Sequence, residues 1–254
     1  MTAYPVRLPA LQLQAERRHA YEQNRERIAQ LWAESQQIRT GDAAHRFLQC
    51  QGLNARAVPD TLRLHPALDY WHFDGAGKPL ACGSHPALLA ALQVEFAPFH
   101  TLNMPQLHTV ALLRVYLDAQ GNPAPVPSFM KLTGVDGQVQ GASIRLCPPQ
   151  HKGKELRLGV AVGLRAALQA SRATRLPFWA VLSTEALASF RWPRGLTTLH
   201  AFVDDVDARP VTELLRKASA CGVEAVAHSI EAPTETASDD PPHGEPVQDT
   251  RAPR

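Results

Sequence analysis

Residues 155–229, ELRLGVAVGLRAALQASRATRLPFWAVLSTEALASFRWPRGLTTLHAFVDDVDARPVTELLRKASACGVEAVAHS, decide the fold of this 254-residue chain. Residues 156–162 (LRLGVAV) read as a strand and 164–171 (LRAALQAS) as an alanine-rich helix. A second strand over 178–182 (FWAVL) precedes a short helix over 184–190 (TEALASF). A third strand over 197–203 (TTLHAFV), a helix over 211–221 closed by Gly222 and a fourth strand over 223–227 complete the series. Parallel strands need crossover connections, which are usually helical, so this alternation predicts a parallel sheet flanked by helices. The expected class is α/β here and α+β for the whole chain.

Upstream the texture differs. Residues 11–39 (LQLQAERRHAYEQNRERIAQLWAESQQIR) hold no Gly or Pro and space Leu13, Ala20, Ile28, Leu31 and Trp32 as one long amphipathic helix requires. Thr40-Gly41-Asp42 ends it, and Asp42 is placed to cap a second helix over 43–51, terminated by Gly52. Residues 11–57 are therefore expected to form a helical hairpin. From 58 to 150, Pro and Gly punctuate short apolar runs at 87–92, 109–117 and 142–146, which predicts a small, mainly β module. The three prolines of 122–128 (NPAPVPS) predict an irregular loop. Residues 151–230 make the α/β unit, and the Pro-, Glu-, Asp- and Ser-rich residues 231–254 are expected to be disordered.

Composition excludes several classes. Hydrophobic residues at 44% and charged residues at 20% fit a globular chain, not a collagen-like or coiled-coil one. No apolar run approaches a membrane span, and the first ten residues show no signal-peptide pattern, so a cytoplasmic address and no membrane partner are expected. Six acids against two arginines after residue 230 leave 24 basic and 18 acidic residues on the body, a mild excess that permits contact with polyanions. Cys50, Cys82, Cys147 and Cys221 form no Cys-x-x-Cys pair and read as free buried thiols.

The one concentrated acidic feature of the body is Asp204-Asp205-Val206-Asp207, directly after the third strand. Ligand sites in open α/β sheets collect at the carboxyl ends of strands, and Asp205 and Asp207 share a side of an extended turn, as a pair of Mg²⁺ ligands would. The competing reading is that Asp207 or a neighbour caps the next helix, with Pro210 as its first residue. His65, His72 and His85, with Asp69 and Asp74, match no zinc spacing, and His65-Pro66 and His85-Pro86 read as turn entries, so no zinc is expected. Ser143 and Ser183 sit in no nucleophile elbow, and there is no nucleotide-binding P-loop. Trp71, Trp179, Phe190 and Trp192 read as core or interface more than as base-stacking residues. Arg17, Arg18, Arg25 and Arg27 alternate with Glu16, Glu22 and Glu26, as on a solvated helix laced with ion pairs.

Together, 41–53 (GDAAHRFLQCQGL), 62–71 (LRLHPALDYW), 85–92 (HPALLAAL), 112–118 (LLRVYLD), 130–134 (MKLTG), 141–146 (GASIRL) and 156–229 resemble the Toprim-domain proteins of plasmid, phage and integrative-element primases and primase-helicases. The resemblance covers roughly residues 15–228. It implies a Toprim-like parallel sheet whose first strand ends in an alanine-glutamate-glycine turn, the glutamate acting as general acid or base. This chain has Ala161-Val162-Gly163 there. The family's metal-binding Asp-x-Asp is matched by Asp205-Val206-Asp207, while the Ala-Gly that commonly follows is replaced, after Ala208, by Arg209-Pro210; an acidic position in the first helix corresponds to Arg165. The zinc-binding segment frequent at the start of such primases is not seen.

A valine cannot carry a proton, so the resemblance implies a degraded catalytic site, a loss of roughly 10²–10⁴-fold for that step. Glu155 and Glu185 are the two acids that a shifted alignment offers as substitutes. The expectation is a primase-like protein of mobile-element DNA replication or maintenance, associating with DNA, single-stranded for preference, and with a replication partner such as a helicase. Two alternatives stand beside it: an active Mg²⁺-dependent primase using Asp205 and Asp207, and a non-enzymatic module that recruits partners.

Overall fold

In the computed structural model, which describes residues 10–53, 58–73, 75, 78–96 and 106–229, fifteen elements follow one another. Two helices come first, α1 (Ala10–Glu34) and α2 (Ala43–Cys50). Then come β1 (Leu62–Phe73), β2 (Pro79–Phe96), β3 (Gln106–Tyr116), β4 (Met130–Leu132), β5 (Ser143–Arg145) and β6 (Gln150–Lys152). The last part alternates: β7 (Glu155–Val162), α3 (Leu164–Thr174), β8 (Phe178–Val181), α4 (Glu185–Ala188), β9 (Thr198–Val203), α5 (Arg209–Ala220) and β10 (Glu224–Ser229). The α/β class is the observed one.

The strands form one sheet in the order β10-β9-β7-β8-β5-β2-β3-β4, with β1 also on β2 and β6 on β7. The pairs β10/β9, β9/β7 and β7/β8 are parallel, and the others are antiparallel. The sheet is continuous across residue 150, because β5 pairs with β2 through Leu92↔Ile144 and with β8 through Ile144↔Ala180. On one face Leu88, Ala90, Leu92, Ile144, Ala180 and Ala161 form a single buried layer beneath α2 and α3. On the other, Leu89, Ala91 and Leu112 pack under Ile28 and Leu31 of α1, and Val160, Val181 and Leu199 under α4 and α5. The period-2 alternation along β2 thus divides the core into two layers, as pleat geometry requires.

Both expected helices form, but not as a hairpin, because α1 packs on one face of the sheet and α2 on the other; Asp42 caps α2 by accepting from the His45 backbone N–H at 2.8 Å. The apolar stripe of α1 is narrower than expected. Ile28 and Leu31 are buried and Trp32 half-buried, while Ala20 is exposed and the Leu13 side chain lies outside the described residues. Polar bonds complete the docking: Arg25 donates to Asp136 through Nε at 2.8 Å and Nη2 at 3.0 Å, and Asn24 donates to the Val135 carbonyl. The expected lacing of Arg25 with glutamates of its own helix gives way to this contact because the Asp136 carboxylate, 2% exposed, must be paired once it leaves water. Burial pushes that carboxyl up, but the hydrogen bonds and charges of Arg25 and His108 outweigh it and hold it below the usual aspartate range.

Two other expectations are corrected. Pro66 and Pro86 lie inside β1 and β2 instead of opening turns. The β1/β2 register slips between His65 and Leu68, so Pro66 falls where the ladder asks for no donor. Among the cysteines only Cys147 is partly buried; Cys50, Cys82 and Cys221 are exposed and unpaired. No described helix is long and apolar enough to cross a membrane. Residues 231–254, expected to be disordered, lie outside the described residues.

Gly159 of β7 makes room for the Phe178 ring, which lies over it from the neighbouring strand and is fully buried. A Cβ at that position would overlap the ring. Gly159→Ala is expected to lower stability by about 1–3 kcal/mol through overpacking, read as a drop in the urea midpoint, and adding Phe178→Leu should recover part of the loss. An unchanged midpoint in Gly159→Ala would refute the close fit.

Candidate functional site

From β7 the chain crosses to β8 on one side and then returns to β9 on the other, so the strand order reverses between β7 and β9. Side connections diverge at such a point and leave a crevice at the carboxyl ends of the strands. Ala161 pairs with Phe202, which brings Val162 level with Val203 and sets residues 204–207 above them. Val162 and the turn that carries Asp205 and Asp207 thus lie at the same edge of the sheet, although 43 and 45 positions separate them along the chain.

The local chemistry is specific. Val162 is half-buried against the core beneath α4 and α5, and it ends β7 with no proton-carrying group. Gly163 follows at φ +90°, a left-handed conformation open to glycine, and caps α3 without a side-chain bond. Asp204, Asp205 and Asp207 are exposed. Asp205 Oδ1 accepts from the Asp207 backbone N–H at 2.9 Å, so this carboxylate closes the turn it stands on. Asp207 is not a helix cap. That position belongs to Ala208, with no side-chain bond, and Pro210 stands in the first turn of α5. Among the described residues no three His, Cys, Asp or Glu side chains gather as a metal site.

The substitute acids separate. Glu155 begins β7, seven residues before Val162, and so stands at the opposite sheet edge, about 23 Å away at strand rise. Glu185 opens α4 just beyond β8, on the same edge as Val162. Its own backbone N–H and the Ser183 hydroxyl hold its carboxyl below the usual glutamate range, which marks it as locally engaged. Arg165 is exposed in the first turn of α3.

The remaining candidates do not converge here. His65 lies 3.4 Å from Glu34, His85 stands opposite Leu68 and His72 opposite Leu80, while Asp69 accepts from Ser84; Asp74 lies outside the described residues. Ser143 is wholly buried in β5. Trp179 and Phe190 are core residues in edge-to-face contact at 6.1 Å, and Trp192 lies under the Lys217 ammonium. Trp71 is 51% exposed near the far end of β1. Sequence reasoning missed His108 and Asp136. His108 Nε2 lies 2.8 Å from Asp136 Oδ2, but the two are 28 positions apart in an unremarkable strand and turn, and no spacing signals them.

Residues 22–146 match the family model described as "Domain of unknown function (DUF7146)". The match ends before β7 and leaves the β7/β9 edge outside it. No curated protein matches the chain. Among solved structures, an archaeal alanine dehydrogenase dimer with bound NAD is similar over 82% of this chain and 54% of its own, at 12% identity and a TM-score of 0.22. The chain thus spans about half of that structure's length, and a TM-score at this level carries no argument about fold or ligand.

Beyond the switch point, His200 Nδ1 lies 3.1 Å from His228 Nε2, and His228 stacks on Phe202. Burial first, then His228 and Arg157, push the His200 imidazole below its ordinary range, with Glu224 opposing. A lowered folded-state pKa means that the unfolded chain binds more protons, so this contribution is complete above about pH 6.5 and is lost as pH falls below it. The urea midpoint is expected to drop between about pH 7.5 and about pH 5.5, and to drop less in His200→Gln. Equal slopes in both proteins would refute the assignment.

Proposed function

We propose that this chain is a Toprim-type, primase-like protein that associates with DNA in the replication or maintenance of a mobile element, and that its own catalytic edge is retired. Val162 carries the reading. Its support is that the parallel pairing sets the end of β7 level with the end of β9, where the turn carrying Asp205 and Asp207 begins, while the residue that ends β7 is aliphatic. Proton transfer by a placed side chain contributes about 10²–10⁴-fold, and valine has none to give. Asp205 and Asp207 offer two carboxylates to a Mg²⁺ ion that ordinarily takes six oxygen ligands, so water would fill most of its shell and binding would be weak. Arg165 adds a positive charge to the same edge, which disfavours a cation further.

On this reading the protein works in the cytosol as an accessory factor beside single-stranded DNA. A partner such as a helicase supplies the motor, because the chain has no P-loop. The test is primer synthesis on a single-stranded template with Mg²⁺ or Mn²⁺, comparing wild type, Asp205→Ala and Val162→Glu. Wild type and Asp205→Ala are expected to match the no-protein background, and Val162→Glu to be the only variant in which metal-dependent product can rise. Metal-dependent product from wild type that disappears in Asp205→Ala would establish the active, Mg²⁺-dependent alternative instead.

A further inference from the structure

The sheet face that carries α1 also carries α4 and α5, and the two groups of helices leave a gap between them. At the end of that gap, on the sheet edge shared with Val162, lies a cleft of about 620 Å³. Its apolar lining includes Val94 of β2 and Val110 of β3, both of which also pack into the core layer beneath α2 and α3. One wall is a single face of α1, presenting Arg18, Tyr21, Glu22 and Arg25 at the spacing i, i+3, i+4 and i+7. Arg191, from the segment after α4, closes the opposite side.

Two features separate this cleft from a gap in the packing. First, one of its cations is fixed. The nearly dry Asp136 carboxylate clamps Arg25 by two hydrogen bonds and holds His108 through Nε2, which leaves His108 Nδ1 without a partner among the described residues. Arg191 is exposed, and its stem lies over Gly141, where a Cβ would come within 2.8 Å of it. Second, its positive charge is not balanced from within. Arg25 and Asp136 pair, and Glu95 is paired from behind by Arg145 at 3.6 Å. Arg18 and Arg191 hold no acid among the described residues, and Glu22 alone stands against them. Arg191 also lies near enough to Lys217 to help lower that ammonium's pKa, after the larger effect of burial. Three arginines line the cleft, two of which, Arg18 and Arg191, pair with no acid among the described residues, and the planar guanidinium fork matches phosphate oxygens.

The remaining lining suits the rest of a nucleotide. Tyr21 offers a ring for base stacking, and the side-chain amides of Gln106, Gln138 and Gln140 offer both donors and acceptors to a base edge. A volume of about 620 Å³ is of the size that small-molecule sites have. We propose that this cleft binds a phosphate-bearing nucleotide unit, its phosphate held by Arg18, Arg25 and Arg191 and its base against Tyr21. The inference does not depend on the state of the Val162 edge.

Arg18 and Arg191 serve the test because neither takes part in the Asp136 tether that docks α1. Binding of a labelled single-stranded oligonucleotide of about 12 nucleotides is measured across salt, with ATP as competitor, for wild type, Arg18→Ala/Arg191→Ala, Tyr21→Ala and the control Lys152→Ala/Lys154→Ala on the opposite sheet edge. The arginine double variant is expected to bind at least tenfold more weakly at low salt, and its salt slope to flatten by about 1.4, the value for two lost single-strand phosphate contacts. Tyr21→Ala should weaken binding several-fold without changing the slope, and the lysine control should match wild type. Competition by ATP would identify a free nucleotide as the occupant. Arginine-dependent binding that ATP does not disturb would identify the strand. Oligonucleotide binding that survives the arginine substitutions sinks this site while leaving DNA association standing; no binding of either probe by wild type sinks both.

Discussion

Two residue pairs, Ile144↔Ala180 and Arg145↔Trp179, join the antiparallel half of the sheet to its parallel half. Everything else in the architecture depends on that seam. Because β5 runs antiparallel to both β2 and β8, the carboxyl ends of β2, β8, β7 and β9 all reach the same edge. The seam is short but well anchored: Ile144 is fully buried, and Arg145 lies over the Trp179 ring at 4.4 Å while its far end pairs with Glu95. Trp179 in turn donates its indole N–H to the Cys147 carbonyl at 2.8 Å. A hydrophobic contact, a cation over an aromatic face and a hydrogen bond thus hold the same few residues in register.

The consequence for the site is that catalysis-like and binding-like features share an edge without sharing residues. At β7/β9 the backbone has the topology that concentrates ligands, but the side chains there are an aliphatic branch and carboxylates occupied with, or exposed beside, their own turn. Four ladder steps away, about 19 Å at ordinary strand spacing, the tips of β2 and β3 line a cleft in which a buried carboxylate holds one guanidinium of α1. The first place has the strand-end geometry and an aliphatic residue at the end of β7. The second has charge, shape and no local use for either.

The parallel half was legible because each of its elements declares itself over a short window: apolar runs such as 178–182, an alanine-rich helix, and a glycine closing the helix before β10. The Asp42 cap was legible for the same reason, being a contact between residues three apart. The antiparallel half was harder. Pro66 and Pro86 read as punctuation, and only the register slip opposite them explains how a strand tolerates them. The Arg25 to Asp136 tether spans 111 positions, and local pattern favoured glutamates one turn away. What decided the outcome was the desolvation of Asp136, a property of the assembled core that no window of sequence contains. The joining of the β module to the α/β unit through the three residues of β5 was invisible for a like reason, since so short a strand has no period to detect.

β2 is 18 residues long and unbroken, with Leu80 at its start, opposite His72 on the hairpin that bears the exposed Trp71 and Phe73, and Glu95 near its finish, on the rim of the arginine cleft. Fifteen residues of extended backbone measure at most about 50 Å. That span is an upper bound set by peptide geometry, reduced by the positive φ of Gly83, and it separates the exposed aromatic pair from the arginine cleft along one strand.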